Sequence, residues 1–152
     1  MLKSYFKKIG IILLIVALDQ VTKSFLDGEN FSVIDSVLSF VSAHNTGAAW
    51  SIFEGQLLVF IIGAILFIIA MFVFDYFERG KGGFYTIGFS LIIAGSLGNL
   101  IDRIAFGYVR DFIAIDFVRF PVFNIADMSL VIGVILFMIY VFFIEGKKKA
   151  VK

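Results

Sequence analysis

Four long apolar stretches constrain this chain more than any other feature. They run over about residues 9–26, 57–74, 84–101 and 125–144. Crossing about 30 Å of hydrocarbon takes roughly 20 mostly apolar residues in a helix. Each stretch is near that length, and an open backbone finds no water partners in lipid, so helices are the default. The whole chain is 61% hydrophobic and only 16% charged, with a mean hydropathy of +1.02. A soluble domain is about half apolar and would have no core large enough for this excess. The expectation is an all-α membrane protein: residues 1–152 form a single polytopic unit without internal repeats. The first stretch follows Lys3, Lys7 and Lys8, as in a secretory leader, but it ends in Asp19, Gln20 and Lys23 rather than a small-residue cleavage site. A retained span is therefore expected.

Charge bias orients the four spans. Lys3, Lys7 and Lys8 precede the first, and Arg79 and Lys81 lie between the second and third. Lys147, Lys148, Lys149 and Lys152 follow the fourth. The 27–56 connection has no Lys or Arg but carries Asp27, Glu29, Asp35 and Glu54. Both termini are thus expected in the cytoplasm, with the two longer connections outside. Arg103, Arg110 and Arg119 in the 102–124 connection count against the rule but are outvoted. Residues 31–42 alternate apolar and polar, which suggests short strands. Residues 106–123, rich in aromatic and β-branched types, suggest a small sheet or amphipathic element at the outer interface.

The polar residues narrow the chemistry. A net charge of +1 makes no electrostatic case for nucleic acid. There is no cysteine and a single histidine, His44, so no metal site or cofactor is expected and chelators should leave any activity intact. Ser96 sits in Gly-Ser-Leu-Gly rather than a nucleophile elbow. His44 reads as an interfacial polar residue. Carboxylates remain. Asp19 and Lys23 are four apart and share a helix face. Asn99, Asp102 and Arg103 gather at the outward end of the third span, Asp127 starts the fourth, and Asn45, Asp111 and Asn124 lie in the outer connections. Charges in a membrane usually face the bundle interior and mark function. Here they concentrate in one leaflet, at one depth. Asp111 and Asp127 could form a hydrolytic pair sharing one proton. Plainer roles compete: Asp19–Lys23 and Asp102–Arg103 as structural ion pairs, Asp127 as a helix cap, Asp111 as a solvated loop carboxylate. Small residues Ala94, Gly95, Ser96 and Gly98 suit close helix packing. A small transporter or proton-relay subunit is the alternative function, and a non-catalytic assembly factor a further one.

Five segments carry a family resemblance: DQVTK at 19–23, HNTGAAW at 44–50, GSLGNLIDR at 95–103, GYVRDFI at 107–113 and FNIADMSL at 123–130. Together, in this order, they resemble bacterial lipoprotein signal peptidase (signal peptidase II). Trp50 stands where that family often has Phe, and Met128 where it often has Ser. The resemblance implies four transmembrane helices, a small extracytoplasmic β-cradle and an outer amphipathic helix. It implies that Asp111 and Asp127 are catalytic, and that Asp19, Lys23, Asn45, Gly47, Asn99, Asp102, Arg103, Asn124 and Ala126 line or support the site. The implied substrate is a prolipoprotein carrying a diacylglyceryl group on its lipobox cysteine, cut just before that cysteine at the outer face of the bacterial cell membrane. Membrane lipid and globomycin-type inhibitors are the other implied partners, and the chain is expected to act as a monomer. On this reading Asn45 and Asn124 would hold the substrate backbone and Arg103 the network around the aspartates.

Overall fold

The computed structural model describes residues 2–47, 55–78 and 82–145. The elements are α1 (Leu2–Leu26), β1 (Asn30–Ile34), β2 (Leu38–Asn45), α2 (Leu57–Glu78), α3 (Gly83–Phe106), β3 (Val109–Ile115) and α4 (Ile125–Ile139). A π-helical turn, Tyr140–Glu145, continues α4. All four α-helices are long and apolar enough to cross a membrane, and the chain is a multi-pass membrane protein. Among the described residues no further helix accompanies the sheet. Residues 48–54, with Trp50, lie outside them.

The centre of the bundle is α3, which packs against α1, α2 and α4. Its polar and small residues explain why. In lipid, apolar side chains gain nothing by leaving the hydrocarbon, so helices associate through close packing and hydrogen bonds. Gly88, Phe89, Ser90, Ile92, Ile93, Ala94, Gly95, Ser96 and Gly98 are all buried. Along the middle of the bundle α4 lies close to α3 where glycines face each other. A Cβ on Gly88 would lie 2.9 Å from the Phe137 backbone N, and one on Gly133 2.8 Å from that of Ile92. By contrast, the apolar side chains of α2 mostly face outward, as expected for a lipid-exposed surface.

The strands form one antiparallel sheet in the order β1-β2-β3. Ser36, with φ 60°, makes the left-handed turn of the β1–β2 hairpin, and Val37 N–H donates to Ile34 O at 3.0 Å. This is the strand pair expected over 31–42. The 106–123 stretch resolves into β3 followed by irregular chain that doubles back. Phe123 pairs with the free edge of β3: the Ile113 N–H donates to Phe123 O at 2.8 Å, and the Phe123 N–H to Ile113 O at 3.1 Å. That pairing brings the start of α4 beside Asp111.

The opposite end of the bundle has its own buried polar cluster, just past the expected span limits. Lys8 on α1 is ion-paired with Asp75 on α2, and the Tyr85 hydroxyl donates to Asp75 at 2.7 Å. The Lys8 ammonium also lies 4.9 Å from the Tyr85 ring centre and 4.8 Å from that of Phe89. α1 starts well before residue 9 and carries Lys8 to this partner, so a charge read as a cytoplasmic flank is buried.

Candidate active site

Five elements meet at the sheet end of the bundle. α1 supplies Asp19, Gln20 and Lys23; α3 supplies Asn99, Asp102 and Arg103; β2 supplies Asn45, with Gly47 just beyond it. β3 supplies Arg110 and Asp111, and the start of α4 supplies Asn124, Ala126 and Asp127. The structure thus gathers all eleven residues singled out in the sequence into one region, together with Gln20 and Arg110.

Asn124 is the hub. As the N-cap of α4, its Oδ1 accepts the Asp127 N–H at 2.9 Å, while Asp127 Oδ2 accepts the Asn124 N–H at 3.2 Å. This capping box satisfies two otherwise unpaired amides at the helix start. The Asn124 Nδ2 donates to Asp111 Oδ1 at 2.6 Å and to Asn99 Oδ1 at 3.1 Å. The other oxygens of the two aspartates are also held: Asn45 Nδ2 donates to Asp111 Oδ2 at 3.0 Å, and Asn99 Nδ2 to Asp127 Oδ1 at 2.7 Å. Both carboxylates, from different elements, are therefore bonded to the same asparagine. Asp127 does cap its helix, so that role and a place in the cluster coexist. Asp111 is only 3% exposed and is no solvated loop carboxylate. Burial, followed by the negative charge of Asp127, raises its pKa to about 7.

Two sequence expectations are corrected. Asn124 does not hold substrate backbone: it is fully buried and both ends of its amide are occupied by protein. Its contacts are instead with both carboxylate residues, Asp111 and Asp127. Nor does Asp102 pair with Arg103. Consecutive helix residues do not face each other, and Asp102 instead takes Arg110, with Nη2 at 2.9 Å from Oδ1 and the Arg110 backbone N at 2.9 Å from Oδ2. Arg103 turns the other way. Its Nη2 donates to Gly47 O at 3.2 Å, and its guanidinium lies 4.8 Å from the Phe60 ring centre. It is half-buried, and the carboxylates of Asp127, Asp111 and Asp102 all act on its charge.

Behind the two aspartates lies a fully buried charge network. Lys23 Nζ sits 2.8 Å from Asp19 Oδ2, 3.0 Å from Asn99 Oδ1 and 3.4 Å from Asp102 Oδ2. The Asp19–Lys23 ion pair is thus present. Asp19 Oδ1 accepts the Ala126 N–H at 2.9 Å, which gives Ala126 its place in the cluster. Gln20 bridges the set, donating to Asp102 Oδ1 at 3.1 Å and accepting from Arg110 Nη2 at 3.1 Å. Sequence reasoning passed over Gln20 and Arg110, though both lie inside quoted motifs. The available signal was the arginine itself: an arginine beside a membrane span favours a carboxylate partner, and Asp102 had been paired only with its immediate helix neighbour. His44 stays outside the cluster, exposed, 2.9 Å from Asp27 and stacked on Tyr108 at 4.1 Å. Among the described residues no group of three or more His, Cys, Asp or Glu is placed to hold a metal ion.

The glycines of α3 make this convergence possible. A Cβ on Gly98 would lie 2.6 Å from Asp19 Oδ2, and one on Gly95 2.3 Å from the Ala126 carbonyl oxygen. The second obstacle is backbone and has no rotamer to change. Gly95→Ala should therefore push α4 off α3, costing about 1–3 kcal/mol and displacing Asp127. Thermal unfolding in detergent should show a lowered Tm with impaired turnover; an unchanged Tm would mean the helices are less tightly apposed than described.

The sequence profile described as Signal peptidase (SPase) II matches residues 11–143. A lipoprotein signal peptidase of Staphylococcus carnosus is 42% identical over an alignment covering 98% of this chain and 99% of the relative. One from Lactobacillus johnsonii is 37% identical over 140 residues, covering 89% and 91%. A bacterial membrane enzyme of known structure superposes with a TM-score of 0.83 at 41% identity, covering 89% of this chain and 87% of that one. With a profile match across nearly the whole chain and relatives this close over most of their length, the chain belongs to the signal peptidase II family.

Proposed function

We propose that this chain is an intramembrane aspartic endopeptidase that removes the signal peptide from diacylglyceryl-modified prolipoproteins by cutting before the lipidated cysteine. The observation that carries the reading is the attachment of Asp111 and Asp127, from β3 and α4, to the same asparagine. Two carboxylates brought together cannot both ionise easily, so they share a proton. The ionised member takes a proton from water, which attacks the scissile carbonyl, while the protonated member polarises that carbonyl. As the C–N bond breaks, the departing amine receives a proton and the pair returns to its starting state. Charge supports this. Four site carboxylates (Asp19, Asp102, Asp111 and Asp127) face three cations, Lys23, Arg103 and Arg110. A single proton on the pair leaves the site neutral, which a low-dielectric setting favours.

The test is cleavage of a purified diacylated prolipoprotein, with the products identified by mass spectrometry. One cut immediately before the modified cysteine is expected, and none in the unacylated precursor. A cut elsewhere, or equal cleavage of both, would sink the substrate assignment. A pH profile adds a second check. The pair titrates as a unit, but Asp111, at about 7, sets the direction. As pH rises through that value the shared proton is lost, so kcat should fall by about tenfold per unit above it. The same shift affects stability. The folded state binds this proton more tightly than the unfolded chain, so the contribution is full below about pH 4 and declines as pH rises through about 7. Urea unfolding at several pH values should show that decline, and Asp111→Asn should flatten it.

On this proposal the sheet end faces outward, where a lipid-anchored cysteine would lie. The chain has no cysteine, so single-cysteine variants report orientation directly. In intact cells Ser32→Cys, on exposed β1, should react with an impermeant maleimide, and Lys7→Cys only after permeabilisation. The reverse pattern would invert the topology.

A further inference from the structure

Resting on the proposed aspartic mechanism, we propose that Lys23 is a positioning residue: its ammonium sets the direction of the Asn99 side-chain amide, and so determines that Asp127 receives an N–H donor rather than a carbonyl oxygen. An asparagine amide is nearly symmetric in shape, and its neighbours decide which end is which. Around Asn99 they decide unambiguously. Its Oδ1 faces two groups that can only donate, the Lys23 ammonium at 3.0 Å and the Asn124 amide nitrogen at 3.1 Å. Its Nδ2 faces the Asp127 carboxylate at 2.7 Å. Reversing the amide would set N–H groups against an ammonium and an NH2, and oxygen against oxygen.

Asn124 depends on its own neighbours in the same way. Its Oδ1 accepts the Asp127 backbone N–H, which leaves Nδ2 to point at Asp111 and at Asn99 Oδ1. Donation therefore runs in one sense, from Lys23 to Asn99 to Asp127, and from Asn124 to both Asn99 and Asp111. Lys23 is the charged origin of the first branch. It is fully buried, donates a hydrogen bond to Asn99 and is ion-paired with Asp19 and Asp102. Lys23, Asp19 and Asp102 have no exposed surface, so a solvent molecule replaces the ammonium only with a rearrangement. Asp19 and Asp102 need a cation for charge balance alone; Asn99 needs a donor at that point in space.

That difference gives the experiment. Lys23→Met alone would strand the buried Asp19 carboxylate, while Asp102 would keep Arg110, and risks misfolding. The double variant Asp19→Asn/Lys23→Met removes one charge of each sign, and the amide oxygen introduced at position 19 can still accept the Ala126 N–H. Its control is Lys8→Met/Asp75→Asn, the equivalent neutralisation at the far end of the bundle. Both are assayed in detergent for Tm, KM and kcat on diacylated prolipoprotein. The control should keep kcat within about threefold. The Asp19/Lys23 double variant should keep KM within about threefold but lose about 100-fold in kcat, the scale of a misaligned catalytic group. A purely structural ion pair predicts recovery in the neutral double variant, so near-normal kcat there overturns the proposal. If that variant does not fold, Asn99→Asp decides. It keeps an acceptor for Lys23 but has no N–H for Asp127, and retained kcat would equally overturn the idea. Failure here is separable from failure of the mechanism. If Asp111→Asn and Asp127→Asn are inactive while these variants are active, only the role of Lys23 falls.

Discussion

Asp111→Asn and Asp127→Asn are each expected to reduce cleavage of a diacylated prolipoprotein by about 10⁴-fold or more, with the fold intact. An amide can neither take a proton from water nor give one to the departing amine, so either change removes half of a two-part device. Each substitution keeps one carboxylate contact and turns one new N–H toward a neighbouring amide nitrogen, that of Asn45 or Asn99. In Asp111→Asn the new amide keeps an oxygen for Asn124 Nδ2 at one of the two present carboxylate contacts. In Asp127→Asn it keeps an oxygen for the Asn124 N–H, preserving the capping box. Removing the buried ionisable group should even stabilise Asp111→Asn above about pH 7, where the wild-type carboxyl is forced to ionise without full compensation. Single-turnover assays followed by mass spectrometry, beside thermal unfolding, separate the two effects. Activity above about a tenth of wild type in either variant would remove that aspartate from the chemistry.

Asn124→Ala should come close to the same loss of activity by a different route. The change deletes the N-cap of α4, worth about 1–2 kcal/mol. It also frees the Asp111 oxygen held at 2.6 Å and the Asn99 oxygen held at 3.1 Å. A buried acceptor left unpaired costs about a further 1–3 kcal/mol. The expected result is a clear drop in Tm and a kcat reduced by about 10³-fold, because both carboxylates lose their shared support. Asn124→Ser separates the two. A serine hydroxyl can cap the helix by accepting the Asp127 N–H, but it is too short to reach Asp111 as well. Stability should largely return while kcat stays low. Recovery of both would show that Asn124 is a cap and nothing more.

These predictions turn on contacts that the sequence indicated only in part. Apolar run length identified four helices, and the alternation over 31–42 identified the β1–β2 pair, because both patterns are local consequences of what each face touches. The alignment of Asp19 with Lys23 followed from helical spacing, and their ion pair forms. Where sequence reasoning failed, a partner from another element had won. Asp102 and Arg103 are neighbours in sequence but point apart, and the arginine that Asp102 takes comes from β3. Asn124 looked available to a substrate until Asp111, Asn99 and the start of α4 filled its bonds. Lys8 looked like a cytoplasmic flank until Asp75 on α2 and Tyr85 on α3 enclosed it.

By itself the sequence determined that the chain spans a membrane with helices, and which carboxylates were candidates for chemistry. Hydropathy, helical periodicity and the scarcity of other reactive groups are readable one segment at a time. Only the tertiary structure decided which groups hold which. The doubling back of Phe123 onto β3 and the close approach at Gly95 and Gly98 bring Asp111, Asn124 and Asp127 to one point. Hydrogen bonds act over about 3 Å, and no spacing along the chain specifies a distance of that kind between residues on separate elements.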